Sequence, residues 1–208
     1  MSNPPVPPYF AQRNGIRIRP YTLDDATPYF WAVMASRQEL AAWTNWFKVG
    51  YTLDDARIWV VSRIGAWQHA TAFDFAVERV EDNMLLGNVG LNTVSSTHRY
   101  ASMNFWIRTD ACGQGVASSA MKLVAAFGFD VLNLARVELA IKTDNMAARK
   151  AAHNAGAAFE ANARNRLQLA GKPVEAALYS LIPADVYAPS GEMRNTPFLG
   201  TNPSLDTH

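Results

Sequence analysis

The sequence predicts a mixed α/β fold: one twisted sheet of about seven strands flanked by about four helices. Three observations predict it. Residues 16–19, 73–77, 85–91 and 101–108 alternate apolar and polar side chains, the period of a half-buried strand. Residues 115–130 contain no breaker and place Val116, Ala120, Val124 and Phe127 at helical spacings, opposite Ser118, Ser119 and Lys122. That helix lies between the strand ending at Arg108 and another at residues 136–141, so these two strands flank a crossover and should run parallel.

The elements follow in order. The first dozen residues contain four prolines, and residues 1–15 read as an extended arm. The central domain spans residues 16–183 and opens on the strand Ile16-Arg17-Ile18-Arg19. Thr-Leu-Asp-Asp-Ala occurs at Thr22 and again at Thr52, each time after a tyrosine. Both copies read as helix starts, with threonine as cap and the acidic pair where the helix dipole favours it. They begin helices over residues 24–36 and 53–69. Strands 73–77 and 85–91 pair around Glu81-Asp82-Asn83, and residues 101–108 add a third strand to the meander. Thr143 or Asp144 caps a helix that ends at Gly156. Strands at 158–161 and 175–181 close the domain. Residues 184–208 form a tail, aperiodic from about Pro189, in which Phe198-Leu199 could serve as an anchor.

Composition narrows the function classes. The chain has 208 residues, 49% hydrophobic and 18% charged, enough for one sizeable core. A net charge of +1 gives no electrostatic footprint for nucleic acid or an anionic membrane. No apolar run approaches the roughly 20 residues of a membrane span, and the N-terminus lacks the pattern of a signal peptide. Cys112 is the sole cysteine, so no intrachain disulfide forms. A cytoplasmic location is the expectation.

The most informative stretch is YASMNFWIRTDACGQGVASSAM, residues 100–121. A strand runs into Gly113-Gln114-Gly115 and then directly into a helix. Such a turn presents several free backbone N–H groups beside the positive helix end, a cradle for a pyrophosphate. A dinucleotide-binding fold is disfavoured, because it places the glycine turn after the first strand of a repeated parallel unit, whereas an antiparallel meander precedes this one. His98 and His153 stand alone, and no His/Cys/Asp cluster has metal-ligand spacing, so no metal is expected.

The order of these segments resembles the GCN5-related N-acetyltransferases, specifically the RimJ/RimL-like branch that acetylates ribosomal-protein N-termini. Ile16-Arg-Ile-Arg-Pro-Tyr-Thr-Leu-Asp24 is similar to its opening strand and first cap. Trp43-Thr-Asn-Trp46 followed by Tyr51-Thr-Leu-Asp-Asp-Ala resembles its paired-tryptophan loop. Leu86-Gly87, Gly90-Leu91 and Met103 to Ile107 resemble its central meander. Gly113-Gln-Gly-Val-Ala117 resembles its coenzyme A loop, and Thr143-Asp-Asn145 through Gly156 its next block. The resemblance covers residues 16–183. It implies acetyl-CoA as cofactor, held in a V between two parallel strands that splay apart, here those ending at Arg108 and Ile141. Backbone groups of Trp106, Ile107 and Arg108 would pair with the pantetheine arm. Backbone N–H groups of Gly113, Gln114, Gly115, Val116, Ala117 and Ser118 would hold the pyrophosphate, with Asn145 on the pantetheine and Lys150 near the ribose phosphate. Arg149 is otherwise expected on a solvated helix face beside Lys150. Trp43, Trp46 and Phe47 would wall the acceptor pocket. The acceptor is a primary amine, such as a protein N-terminus, and a homodimer is allowed.

The departures are specific. The position of the branch's glutamate base carries Ser102. Positions that often hold a serine or a tyrosine carry Ala148 and Ala152, and the loop opens with Ala111-Cys112. Ser102 and Asn145 are thus the remaining catalytic candidates, with Asp74, Glu78, Glu160 and Glu175 as unplaced bases. Cys112 precedes a helix N-terminus, where a thiolate is favoured; direct transfer is expected over an acyl-cysteine. A non-catalytic coenzyme A-binding protein and a small-molecule amine acetyltransferase are the alternatives.

Overall fold

The computed structural model describes residues 10–188 and 190–193. Eight strands form one sheet: β1 (Ala11–Arg13), β2 (Ile16–Pro20), β3 (Phe73–Arg79), β4 (Leu85–Ser95), β5 (Tyr100–Ile107), β6 (Arg136–Lys142), β7 (Ala158–Leu169) and β8 (Lys172–Leu181). Their order across the sheet is β1-β2-β3-β4-β5-β6-β8-β7. Every neighbouring pair is antiparallel except β5 and β6, which are parallel as the crossover predicts. Among the described residues the helices are α1 (Ala26–Ala35), α2 (Arg37–Trp43), α3 (Leu53–Gln68), α4 (Val116–Asp130), α5 (Met146–Asn154) and the single turn α6 (Pro183–Val186). None is long and apolar enough to cross a membrane.

Several elements differ from the sequence expectation. Residues 11–13, read as part of the arm, form β1 and pair with β2 through a turn at Asn14-Gly15. The segment after Ser36, read as loop, contains α2. β7 and β8 are far longer than 158–161 and 175–181 and meet in a hairpin at Ala170-Gly171. The distal half of that hairpin is solvated, so its sequence lacks an apolar face. Phe198 and Leu199 lie outside the described residues.

Both copies of the pentapeptide start a helix with the aspartate accepting from the threonine N–H, at 2.7 Å for Asp25 and 2.9 Å for Asp55, but their first turns differ. Thr52 closes a full capping box: its Oγ1 accepts from Asp55 N–H at 3.2 Å, and Asp55 Oδ2 accepts from Thr52 N–H at 2.9 Å. After Thr22 the first turn is a 3-10 turn, Leu23–Asp25. There Asp25 is buried and pairs with Arg19 through both carboxylate oxygens.

α4 packs on one face of the sheet over Phe73, Phe75, Val89 and Leu91. α1 and α3 cover the opposite face around Tyr29, Val33, Val60 and Ala76. Gly128 lets α4 lie close to the sheet. A Cβ there would sit 3.0 Å from Leu91 Cδ1 and 3.2 Å from Leu134 Cδ1. Arg149, expected on a solvated helix face, is buried instead. Its Nε donates to Tyr179 Oη at 3.1 Å and its Nη1 to the Thr143 carbonyl at 2.9 Å, tying α5 to β8 and to the end of β6.

Because Leu91 and Leu134 are themselves buried in the core, the larger side chain of Gly128→Val should overpack this contact and lower unfolding stability by about 1–3 kcal/mol. Urea denaturation followed by circular dichroism measures this, with the m-value expected to stay constant.

Candidate functional site

β5 and β6 pair over only three positions, Tyr100 with Arg136, Ala101 with Val137 and Ser102 with Glu138. Beyond them β5 stays on β4 as far as Ile107, and β6 stays on β8 as far as Lys142. The two strands therefore diverge and leave the facing edge of β5 without a ladder partner. Arg108 N–H donates to Leu86 O on β4 at 2.7 Å. Alternation then turns the N–H and C=O groups of Phe105 and Ile107 toward the gap and those of Trp106 toward β4. This refines the expectation for Trp106, Ile107 and Arg108: of the three, Ile107 offers its backbone to the cleft, with Phe105 beside it. The gap opens into a cleft of about 630 Å³. Met103, Phe105, Leu139 and Ile141 line its strand side, and Ala148 and Ala151 its helix side.

At the wide end of the V the chain turns into α4. Gly113 and Gly115 both take φ 78°, a left-handed conformation that side chains resist. No atom lies within 4 Å of a Cβ placed at Gly113, and only Ser118 Oγ, at 3.9 Å, near one at Gly115. The turn is thus open space lined by backbone. Gly115 caps α4, and the first intrahelical bond runs from Ser119 N–H to Gly115 O at 3.0 Å. The N–H groups of Val116, Ala117 and Ser118 precede it and are the helix's unpaired donors. Gln114 turns away, its Nε2 donating to Asp110 O at 3.0 Å, and Arg108 forms a two-pronged pair with Asp110. Neither side chain borders the cleft.

Cys112 differs from the sequence expectation. Its thiol is pushed up by burial and by the nearby carboxylates of Glu39 and Asp110. Its Sγ lies 3.3 Å from Arg108 O and 3.8 Å from Ile107 O, both acceptors for a protonated thiol. Burial and these two charges favour the thiol over the thiolate.

Asn145, rather than Thr143 or Asp144, caps α5: its Oδ1 accepts from Ala148 N–H at 3.1 Å. The residue also lines the cleft. Lys150 stands exposed on the same rim. Lys142, which sequence reasoning passed over, sits at the end of β6 with Nζ 5.2 Å from the Trp43 ring centroid and paired to Asp144. α2 spans the wide end of the V: Ser36 Oγ accepts from Thr109 N–H at 3.2 Å beyond β5, and Trp43 meets Lys142 at the end of β6.

Trp43 and Trp46 line the cleft, both about two-fifths exposed, and Trp46 lies 6.2 Å from Trp106. Phe47 does not line it. Its ring stacks on Tyr51 at 6.0 Å, behind Trp46. Asn45 holds the tryptophan loop against the β7–β8 hairpin, accepting from Ala170 N–H at 2.9 Å and donating to Gln168 O. Two distant segments thereby roof the cleft. The alternating hydrophobicity signal could not find this contact, because both ends are polar and solvated.

Ser102 is the last residue of the parallel pairing and does not border the cleft. Glu78 is locked between Arg17 and Arg19, Glu160 is held by Arg136 and Ser180, and Glu175 is exposed on β8. Asp74 is buried on β3, where burial pushes its carboxyl up against the pull of Arg63. Glu39 is the one carboxylate among the cleft-lining residues described, and it sits near Cys112, at the loop end.

Comparison with known proteins agrees with this geometry. A sequence profile of the acetyltransferase (GNAT) domain matches residues 16–158. Two Bacillus subtilis (strain 168) proteins are similar. The uncharacterized N-acetyltransferase YoaA is 26% identical over 116 residues, 56% of this chain and 66% of YoaA, so the match spans just under two thirds of its length. YdaF, provisionally named a ribosomal N-acetyltransferase, is 24% identical over 169 residues, 80% of this chain and 91% of YdaF. A solved Vibrio cholerae structure, provisionally named a ribosomal-protein-serine acetyltransferase, superposes with a TM-score of 0.76 at 28% identity, covering 86% of this chain and 99% of that one. The splayed strands, the open glycine turn and the profile match converge: this chain belongs to the GNAT acetyltransferases, which use acetyl-CoA as acyl donor.

Proposed function

We propose that the protein transfers the acetyl group of acetyl-CoA directly to a primary amine, and that the amine is a polypeptide N-terminus. The observation that carries the reading is the unpaired edge of β5 running into the open turn at residues 113–118. The cleft fits the donor. Phe105 and Ile107 offer backbone groups to a chain bearing amides. Val116, Ala117 and Ser118 offer N–H groups to a pyrophosphate at a helix N-terminus. Asn145 Nδ2 stays available while its Oδ1 caps α5, and Lys150 on the rim supplies positive charge.

When bound, acetyl-CoA supplies an acetyl group already activated as a thioester. The chain's own residues place it, orient the amine and exclude water, and placement alone contributes several kcal/mol. No carboxylate among the described residues borders the narrow end of the V, where β5 and β6 part. The amine must therefore react from its already neutral fraction. An N-terminal amine, with an ordinary pKa near 8, is about a tenth neutral at pH 7. A lysine amine, near 10.4, is neutral well under a thousandth of the time, a difference worth about 3 kcal/mol. The names of YdaF and the Vibrio cholerae protein support a ribosomal protein as the acceptor, and such an acceptor would put the reaction in the cytoplasm.

Acetyl-CoA should raise the melting temperature and NAD should not, and Gly115→Glu should abolish the shift by placing a negative side chain in the phosphate space. Millimolar acetyl-CoA without effect on melting would refute the reading. Because burial and two carboxylates keep the Cys112 thiol protonated, Cys112→Ser should retain most activity. Mass spectrometry after mixing with acetyl-CoA alone should find no acetylated Cys112, and a stoichiometric adduct would replace direct transfer with a covalent route. For acceptor choice, initial rates on peptide N-termini should exceed those on lysines of acetyl-capped peptides, and should climb with pH toward about 8, the acceptor's own pKa. A flat pH profile with efficient lysine acetylation at pH 7 is the contrary result.

A further inference from the structure

Behind the β5 wall of the cleft three residues stand side by side on adjacent strands. Asp74 on β3 is opposite Gly90 on β4, and Gly90 is opposite Asn104 on β5. Residues directly opposite share one face of the sheet, here the α1–α3 side that also carries Ala76, Asn88 and Trp106. A Cβ at Gly90 would lie 2.3 Å from Asp74 Oδ1 and 3.0 Å from Asn104 Oδ1. Only glycine leaves room for the two polar side chains to meet above the central strand.

The pair is asymmetric. Asp74 is 2% exposed. Its Oδ2 accepts from Arg63 Nη1 at 3.1 Å and its Oδ1 from Asn88 Nδ2 at 3.2 Å, while Asn88 Oδ1 accepts from Tyr21 Oη at 3.2 Å. The carboxylate thus accepts from two side chains, one of them held by Tyr21, and the Asn104 side chain comes over Gly90 beside it, its amide favouring the charged form. Asn104 itself is exposed and lines the cleft, two residues past the last β5–β6 pair. It lies about 10 Å along β5 from Ile107, at three residues of strand rise. The donor's phosphates are placed beyond Ile107, so Asn104 lies toward the acetyl end. Trp106, its next neighbour on the same face, and Trp46 give the approach an aromatic wall.

We propose that Asn104 is the residue that orients the acceptor amine, and that Asp74, across Gly90, is the positioning residue that fixes its amide. Asn104 Oδ1 faces Gly90 beside the carboxylate, and two acceptor oxygens repel, so the proposed arrangement exchanges the ends of the amide: Nδ2 donates to Asp74, and Oδ1 is left to accept a hydrogen bond from the amine N–H and to aim the nitrogen lone pair at the thioester carbonyl. Neither residue takes the proton. This inference deepens the proposed function and rests on it for the donor's direction in the cleft.

The test is steady-state kinetics with an alanine-initiated peptide, spermidine and an acetyl-capped lysine peptide, alongside calorimetric Kd for acetyl-CoA and melting temperatures. On whichever amine the native protein acetylates, Asn104→Ala should lower kcat/KM by about tenfold, the scale of one lost hydrogen bond. Its acetyl-CoA Kd should stay within about twofold. Asp74→Asn, which removes the charge but keeps the shape, should reproduce much of that loss, and the double variant should be no slower than Asn104→Ala, since both act through one contact. Additive losses would make Asp74 merely structural and overturn the pairing. An unchanged kcat/KM for Asn104→Ala, or a weakened acetyl-CoA Kd in that variant, would overturn the role of Asn104. Turnover of spermidine or lysine but not of the peptide would refute the N-terminal acceptor alone and leave the Asn104 comparison valid. Acetyl-CoA binding without turnover of any of the three would overturn both.

Discussion

The site depends on a pairing that stops early. Three aligned residues hold β5 and β6 together, and then each strand follows its outer neighbour. An unpaired strand edge inside a domain is costly unless something satisfies its donors and acceptors. Here the outer ladders stay intact, so the sheet remains one body while an inner edge is left open. The polar backbone needed to grip an amide-bearing chain is a by-product of sheet divergence and requires no dedicated side chain. That explains why the cleft walls can be built largely from alanine and aliphatic residues.

The two faces of the sheet then divide the work. α4 closes one face with a dense apolar layer and contributes its N-terminus at the wide end of the V. The other face carries aromatic rings beneath α1 and α3: Tyr29 stacks on Trp59 at 4.2 Å and meets Trp106 at 5.6 Å. Polar groups that burial would otherwise penalise are grouped there, with Asp74, Arg63, Asn88 and Tyr21 satisfying one another. The donor side is thus backbone and apolar surface, and the opposite side is aromatic and polar.

Much of this was legible in the sequence, for physical reasons. The meander, the crossover helix and the glycine turn all announce themselves through periodicity or backbone requirement, and the parallel pair follows from the crossover. What stayed hidden depends on contacts between distant segments. Arg149 looks like a surface residue until Tyr179 and the Thr143 carbonyl surround it. Phe47 adjoins a cleft residue in sequence yet turns onto Tyr51. The distal β7–β8 hairpin has no apolar face to betray it. Cys112 sits where a helix dipole favours ionisation, but Glu39, supplied by α2, adds an opposing charge that no local pattern reveals. Gly90 is an unremarkable strand glycine until its two neighbours across the sheet are known.

The contact made by Asn45 also sets how firmly the cleft is covered. One amide side chain joins the tryptophan loop to the hairpin tip through two solvent-exposed hydrogen bonds. Such bonds contribute about 1 kcal/mol each, so a latch built from the pair is open for some per cent of the time. A roof held by so little can part by local fluctuation while the sheet beneath stays intact. The cover of the cleft thus rests on an amide remote from the splayed strands, and changing that one side chain loosens the roof while the walls are left as they are.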